Sequence, residues 1–90
     1  MITRKDEIKE DVRGGYRTVI SDGENHFIID TCYTFDRGNE SMVFETRENS
    51  LEDKYINWKD LDSRGSFTIE EMETVHNEMV QKWIEKLERE

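Results

Sequence analysis

An apolar stripe near the C-terminus constrains the fold of this chain more than any other sequence feature. Its members recur at three- and four-residue spacing, as on one face of a helix: Met72, Val75, Met79, Val80, Trp83, Ile84 and Leu87. Just before it, Thr68-Ile69-Glu70-Glu71 fits a capping box, in which Thr68 accepts from a first-turn amide and Glu71 reaches back. We therefore predict an amphipathic helix over residues 68–88, and such a helix needs an apolar surface to cover.

Three upstream segments predict the strands that supply this surface. Residues 16–20 are rich in β-branched and aromatic side chains, and residues 40–47 place Met42 and Phe44 on one face. Residues 26–35 alternate, and one face carries Phe27, Ile29, Thr31, Tyr33 and Phe35. The turns between these segments are short and rich in Gly, Asp and Asn, which favours an antiparallel meander.

The predicted fold is α+β, a single domain over residues 1–90. An antiparallel sheet of three or four strands spans residues 16–58, and the helix lies across the face that bears Phe27, Ile29 and Tyr33. Residues 3–12 predict a short N-terminal helix that Gly14-Gly15 end. Residues 51–58 fit either a helical stripe or a short edge strand, and the turn-forming residues around them favour the strand.

Composition narrows the range of functions. The chain has 90 residues, 33% of them hydrophobic and 39% charged, with a net charge of −9. Direct binding to nucleic acid is disfavoured, because it requires clustered Lys and Arg. The one cysteine, Cys32, excludes an intramolecular disulfide and a thiolate zinc cage. No apolar run exceeds three residues, so we expect no signal peptide, no membrane span and a reducing, cytoplasmic location.

The sequence from Asp60 to Glu71 is the strongest candidate for a metal site. It has Asp, Asp, Gly and Glu at positions 1, 3, 6 and 12 of an EF-hand loop, but Arg64 occupies a ligand position. A turn that leads into the capping box explains the same residues without calcium, so the EF-hand module is a remote alternative. We expect no metal, no cofactor and no catalytic residues, because no nucleophile, phosphate-loop or metal-helix motif is present.

Several short motifs in the second half of the chain follow one order. They are E-S-M-V-F at 40–44, W-K-D-L-D at 58–62, Arg64, T-I-E-E at 68–71, His76, and M-V-Q-K-W at 79–83. This pattern resembles a group of small bacteriophage and prophage proteins with E-T-M-V-F, W-x-E-L-D, R-Y, T-x-E-E-A and H-x-x-M-V-x-K-W. The chain departs from it at Gly65-Ser66-Phe67 and at Met72, where the group has Ala. The resemblance implies a phage origin and no assigned activity.

Small size, acidity and the lack of catalytic motifs predict a phage-encoded binding protein rather than an enzyme. The expected role is stoichiometric inhibition of a host protein, such as a defence factor in the manner of an anti-CRISPR, or a nucleic-acid-binding factor. Surface carboxylates would then act as a DNA mimic against a basic surface. The candidate partner-binding residues are Asp22, Glu24, Asp36, Glu40, Glu70, Glu73 and Glu78. The alternative is a phage accessory or assembly protein, with homodimerisation through the sheet edge or the helix.

Overall fold

The computed structural model describes residues 1–9 and 14–89, and in them five strands precede one α-helix. The strands form one antiparallel sheet in the order in which they occur in the chain. The elements are β1 (Thr3–Ile8), β2 (Tyr16–Ser21), β3 (His26–Thr34), β4 (Gly38–Thr46), β5 (Ile56–Gly65) and α1 (Met72–Glu88). The α+β class and the C-terminal helix are confirmed, whereas the prediction of three or four strands was too low.

The prediction of an N-terminal helix over residues 3–12 was wrong for residues 3–8, and residues 10–12 lie outside the described residues. Residues 3–8 form β1, which pairs with β2 from Thr3↔Ser21 to Ile8↔Tyr16. Only two apolar residues supported the helix, and helices of this length are marginal without packing. The backbone hydrogen bonds to β2 and the bond from the Thr18 hydroxyl to Asp6, at 2.6 Å, stabilise the strand instead.

The ambiguous segment 51–58 contains two structures. Asp53–Tyr55 is a 3₁₀ turn, and β5 starts at Ile56 and runs to Gly65, so the sheet extends beyond residue 58. Register shifts where Val43 pairs with Asp62 but Glu45 pairs with Asn57, so residues 58–61 bulge opposite a single residue of β4. Because residues 60–65 are extended in β5, they do not form the calcium loop that the EF-hand alternative requires.

The core on one face of the sheet lies beneath α1. It contains Ile20, Ile29, Val43, Met79, Val80 and Leu87. The Trp83 ring packs against Phe27 at 5.1 Å between centroids, and its Nε1 donates to Asp62 at 2.9 Å. Packing of the helix on Phe27 and Ile29 is therefore confirmed. The same prediction was wrong for Tyr33, which is exposed and packs edge-on to Phe35.

The opposite face of the sheet is also buried, contrary to the simple alternation predicted for β3. Val19, Ile28, Phe44 and Ile56 form a second core, with Leu51 packed against it. The connection between β4 and β5 contributes Leu51, and Arg17 Nη1 donates to its carbonyl at 3.2 Å. Because both faces are covered, the middle of β3 is buried on consecutive residues rather than on alternate ones.

The predicted capping box is confirmed. Thr68 Oγ1 accepts from the Glu71 amide at 3.2 Å, and the Glu71 carboxylate accepts from the Thr68 amide at 3.0 Å. The box opens a 3₁₀ turn at Ile69–Glu71, which continues directly into α1 at Met72. The sequence thus placed the start of the helical segment correctly, although its first turn is 3₁₀ rather than α.

We expect Trp83→Ala to lower the free energy of unfolding by about 3 kcal/mol, because the ring loses Phe27 and the Asp62 hydrogen bond. Trp58→Ala is the matched control, since that ring is 55% exposed and should cost markedly less. Urea denaturation of both variants measures the difference. An equal or larger loss for Trp58→Ala would contradict the assignment of Trp83 to the core.

We expect Thr68→Ala to lower the free energy of unfolding by about 1 kcal/mol, because the Glu71 amide loses its acceptor. Thr68→Ser keeps the hydroxyl oxygen and should retain most of the stability. Thermal denaturation of the two variants side by side tests the cap. Equal melting temperatures for Thr68→Ala, Thr68→Ser and the wild type would show that the cap contributes nothing.

Candidate functional site

A histidine on α1 lies inside the fold, where it contacts two strands of the sheet directly. His76 is 2% exposed, and its ring stands 5.6 Å from that of Tyr16. Its Nε2 lies 2.8 Å from Thr18 Oγ1 and its Nδ1 lies 2.6 Å from Thr31 Oγ1. Thr31 Oγ1 in turn lies 2.8 Å from Ser41 Oγ. We call His76, Thr18, Thr31, Ser41 and Asp6 the imidazole network.

The acceptors of the imidazole network determine the tautomer of its histidine. The ionised Asp6 carboxylate can only accept, so the Thr18 hydroxyl hydrogen points to it and the Thr18 oxygen accepts from Nε2–H. Burial, with a smaller contribution from Arg4, lowers the pKa of His76 to about 4, so the neutral ring keeps Nδ1 as an acceptor for Thr31. The Thr31 hydroxyl then faces Nδ1, and Ser41 Oγ lies 2.8 Å from Thr31 Oγ1.

Asp6 is the only exposed member of the imidazole network; Thr18 and His76 are buried but line the cleft beside it. Burial alone would raise the pKa of this carboxyl, but hydrogen bonds from Thr18 and Arg4 outweigh it and lower the pKa. Beside it lies an open cleft of about 270 Å³, whose lining includes Arg4, Tyr16 and Glu73. The two hydroxyls beyond the ring, on Thr31 and Ser41, are fully buried and cannot meet a substrate. The network therefore fixes the helix on the sheet and offers no accessible nucleophile.

A second buried polar group lies on the opposite face of the sheet. The Asp30 carboxylate pairs with Lys9 at 2.7 Å and with Arg17 at 3.1 Å, and Arg17 also pairs with Asp53. Cys32 is half-buried close by, and its pKa is raised by burial and by the charge of Asp30. A protonated thiol is a poor nucleophile, so this group joins β2, β3 and the segment before β5 without offering reactive chemistry.

The structure separates the predicted partner-binding residues into different regions. Asp22 and Glu24 lie in the β2–β3 turn, where Asp22 accepts from the amides of Glu24 and Asn25 and shapes the turn. Glu78 lies on the outer side of α1 and pairs with Arg64 at 2.8 Å. Glu40 lies in the strand that the sequence predicted over residues 40–47, but its side chain is not at the surface. It belongs to β4, where it is 4% exposed and pairs with Arg37, so it is unavailable to a partner.

The remaining predicted residues lie at the opposite end of the sheet from Asp22. Asp36 is exposed in the β3–β4 turn, and Glu70 and Glu73 are exposed at the start of the helical segment. The two regions are joined because Asn39, opposite Tyr33 in the sheet, donates its side-chain amide to the Phe67 carbonyl at 2.9 Å. The structure thus brings Asp36 and Glu70, which the sequence did not group, to the same end of the sheet, away from Glu24.

Large apolar side chains are exposed at this same end, and the sequence analysis missed them. Phe35 is 76% exposed, and Tyr33 and Ile69 are also exposed. Strict alternation along β3 assigned both aromatic residues to the core. Their position beside the Asp36-Arg37-Gly38 turn was the signal that they lie beyond the end of the helix. We call Tyr33, Phe35, Asp36, Ile69 and Glu70 the turn-end surface.

Among residues 1–9 and 14–89, no three His, Cys, Asp or Glu side chains are grouped so that they could hold a metal ion. In the same residues no helix has the length and apolar character needed to cross a membrane. Comparison with protein-family models, with curated proteins and with solved structures gives no match to the chain.

We expect the stability of the protein to fall as the pH is lowered from 6.5 towards 4. The ring is neutral in the folded state with a pKa of about 4, against 6.5 when unfolded, so acid favours the unfolded chain. The full shift corresponds to a loss on the order of 3 kcal/mol. The contribution of the neutral His76 ring to stability is complete above pH 6.5. It is lost as the pH falls from 6.5 towards 4, before most carboxylates protonate.

Urea denaturation at intervals between pH 7 and pH 5 measures this dependence. His76→Gln, which cannot titrate, is the comparison. Its stability should be lower at pH 7 and should change little between pH 7 and pH 5. If the wild type is equally flat over that range, the buried neutral histidine is contradicted.

Proposed function

We propose that this chain is a small acidic binding protein, encoded by a bacteriophage, that inhibits a host protein by occupying its nucleic-acid-binding surface. It would act stoichiometrically in the cytoplasm of the host cell, as a DNA mimic or an anti-CRISPR-like defence inhibitor does. The observation that carries the proposal is the turn-end surface, where exposed carboxylates and exposed rings stand side by side. The phage origin rests on the sequence resemblance.

The distribution of charge supports this function. Most cations among the described residues are engaged with carboxylates of the same molecule, as Arg17 is with Asp30, Arg64 with Glu78 and Lys82 with Asp62. Many exposed carboxylates have no such cation within the described part of the chain. They include Glu24, Asp36, Glu45, Glu48, Asp60, Glu70, Glu73, Glu85 and Glu88. The negative charge is thus available at the surface, where it would attract a basic partner.

The turn-end surface combines this charge with apolar area. Asp36 and Glu70 would stand in for phosphates, and the rings of Tyr33 and Phe35 offer flat apolar faces of the kind that basic, base-stacking channels accept. Ile69 adds a third exposed apolar side chain next to Glu70. Surface ion pairs alone contribute little each, about 0.2–1 kcal/mol, whereas buried rings at an interface contribute more. The combination of carboxylates and exposed rings therefore makes the turn-end surface a better candidate for partner binding than the acidic surface of α1.

We expect this protein to release basic, nucleic-acid-binding proteins from immobilised double-stranded DNA that has been loaded with bacterial host extract. Mass spectrometry identifies the released protein, and fluorescence anisotropy with the purified partner then measures DNA displacement at equimolar inhibitor. Asp36→Lys combined with Glu70→Lys should weaken displacement by about tenfold or more, because both charges at the turn-end surface reverse.

The matched control is Glu85→Lys combined with Glu88→Lys. Both residues are exposed near the C-terminus of α1, and the double variant changes the net charge by the same amount. It should keep affinity within about twofold, apart from a small effect of net charge. Equal losses in both double variants would contradict the turn-end surface, and a wild-type protein that displaces no DNA from any partner would contradict the function.

A further inference from the structure

The two outer strands of the sheet differ in how well they could accept another strand. β5 carries the bulge at residues 58–61, which interrupts its pairing and distorts the outer edge. β1 pairs with β2 over six consecutive residues without a register shift, and every one of these residues is exposed. No other described strand lies on the outer side of β1. β1 is therefore the regular, open edge of the sheet.

The hydrogen bonding of β1 shows which of its backbone groups point outward. Beyond the strand, the Lys9 amide donates to the Gly15 carbonyl at 2.9 Å, so Lys9 and Gly15 form a hydrogen-bonded pair. Such pairs alternate with non-bonded pairs in an antiparallel ladder, so residues 7, 5 and 3 also bond to β2. The amides and carbonyls of Arg4, Asp6 and Ile8 consequently point away from the sheet.

We infer that β1 is a homodimer interface, on which a second copy of this chain adds its own β1 in antiparallel orientation about a two-fold axis at Lys5. Residues whose backbone amide and carbonyl point outward must face residues of the second copy whose backbone groups also point outward. Only a few registers meet this condition. With the axis at Lys5, Arg4 faces Asp6 of the second copy, and Ile2 faces its Ile8. The result is a continuous sheet of ten strands, five from each copy.

Charge complementarity favours this register. Arg4 already donates to Asp6 of its own strand at 3.0 Å, and both side chains lie on the face that carries α1. In the dimer, Arg4 and Asp6 of the two copies would form a square in which each side chain has two neighbours of opposite charge. With the axis at Asp6 instead, two aspartates would face each other directly, which destabilises a strand pair.

Apolar contact favours the same register, and the Lys5 pair is the one pair of like charges in it. Ile8 is 67% exposed in the single chain, whereas Ile2 is half-buried against the core, so their pairing would cover an exposed side chain. Lys5 would face Lys5 of the second copy on the opposite sheet face. Its ammonium group donates to the Asn49 carbonyl at 2.9 Å, which directs it towards the β4–β5 connection.

We expect a weak dimer, because one strand pair buries little area and each chain carries nine net negative charges. Sedimentation equilibrium at about 0.15 M salt, where the screening length is about 8 Å, should give twice the 10.8 kDa mass of the chain at sub-millimolar concentration. A mass of one chain across that range would overturn the inference. Dimerisation uses no residue of the turn-end surface, so either proposal can fail alone.

Disulfide trapping tests the register directly, in a Cys32→Ser background. Residues that face each other in a non-bonded antiparallel pair have Cα atoms about 4.5 Å apart, which a disulfide can span. Lys5→Cys should therefore oxidise to a covalent dimer. Thr3→Cys and Glu7→Cys lie on the same face of β1 but would stand about 13 Å from their own copies, so they should remain monomeric. Equal cross-linking of all three variants would overturn the interface.

Charge-reversal variants distinguish which of the two edge strands, β1 or β5, forms the dimer interface. Arg4→Glu places a like charge opposite Asp6 of the second copy, so this variant should be monomeric at concentrations where the wild type is a dimer. Lys59→Glu makes the same charge change in the bulge of β5 and should leave the dimer intact. Circular dichroism controls for folding of both variants. If Arg4→Glu stays dimeric, or if Lys59→Glu dissociates the dimer instead, β1 is not the interface.

Discussion

The helix of this protein is held on its sheet by a hydrogen-bonded imidazole as well as by apolar packing. A chain with 33% hydrophobic residues has limited apolar material, and here it must cover both faces of a five-stranded sheet. The apolar core under α1 extends from Val43 and Met79 to Leu87, and the imidazole network occupies the region beyond it, towards the start of the helix. Because each polar atom there needs its partner, the network allows one position of the helix.

On the opposite face of the sheet, where apolar material is also limited, buried ion pairs supplement the apolar core. The ion pairs of Arg17 and Asp30 lie beside the second apolar core, and the connection before β5 closes over them through Leu51 and Asp53. Removing one partner of such a pair leaves a buried charge unpaired, so the group specifies the path of this connection more than it adds net stability. Cations used in this way are not available at the surface, and the surface therefore carries the excess of carboxylates.

The sequence predicted the parts of the fold that local patterns determine. The stripe from Met72 to Leu87 and the Thr68–Glu71 box determined the helix, and turn chemistry determined three of the strands. β1 was missed because a strand of charged residues is stabilised by its neighbour rather than by its own pattern. His76 lies on the helical stripe, four residues from both Met72 and Val80, which indicated burial. Its partners Thr18 and Thr31, and Ser41 beyond Thr31, come from three strands, and only strand register brings them together.

The turn-end surface and the β1 edge lie outside the core, whereas the buried polar groups of residues 1–9 and 14–89 hold the elements together. The turn-end surface and the β1 edge depend on His76 as a neutral, fixed hydrogen-bonding group that orients the helix on the sheet. Nitrogen-15 NMR of the His76 ring near pH 6 tests this most directly. We expect a neutral ring with the proton on Nε2 and a non-protonated Nδ1. A protonated ring, or a ring that averages between the two tautomers, would contradict it.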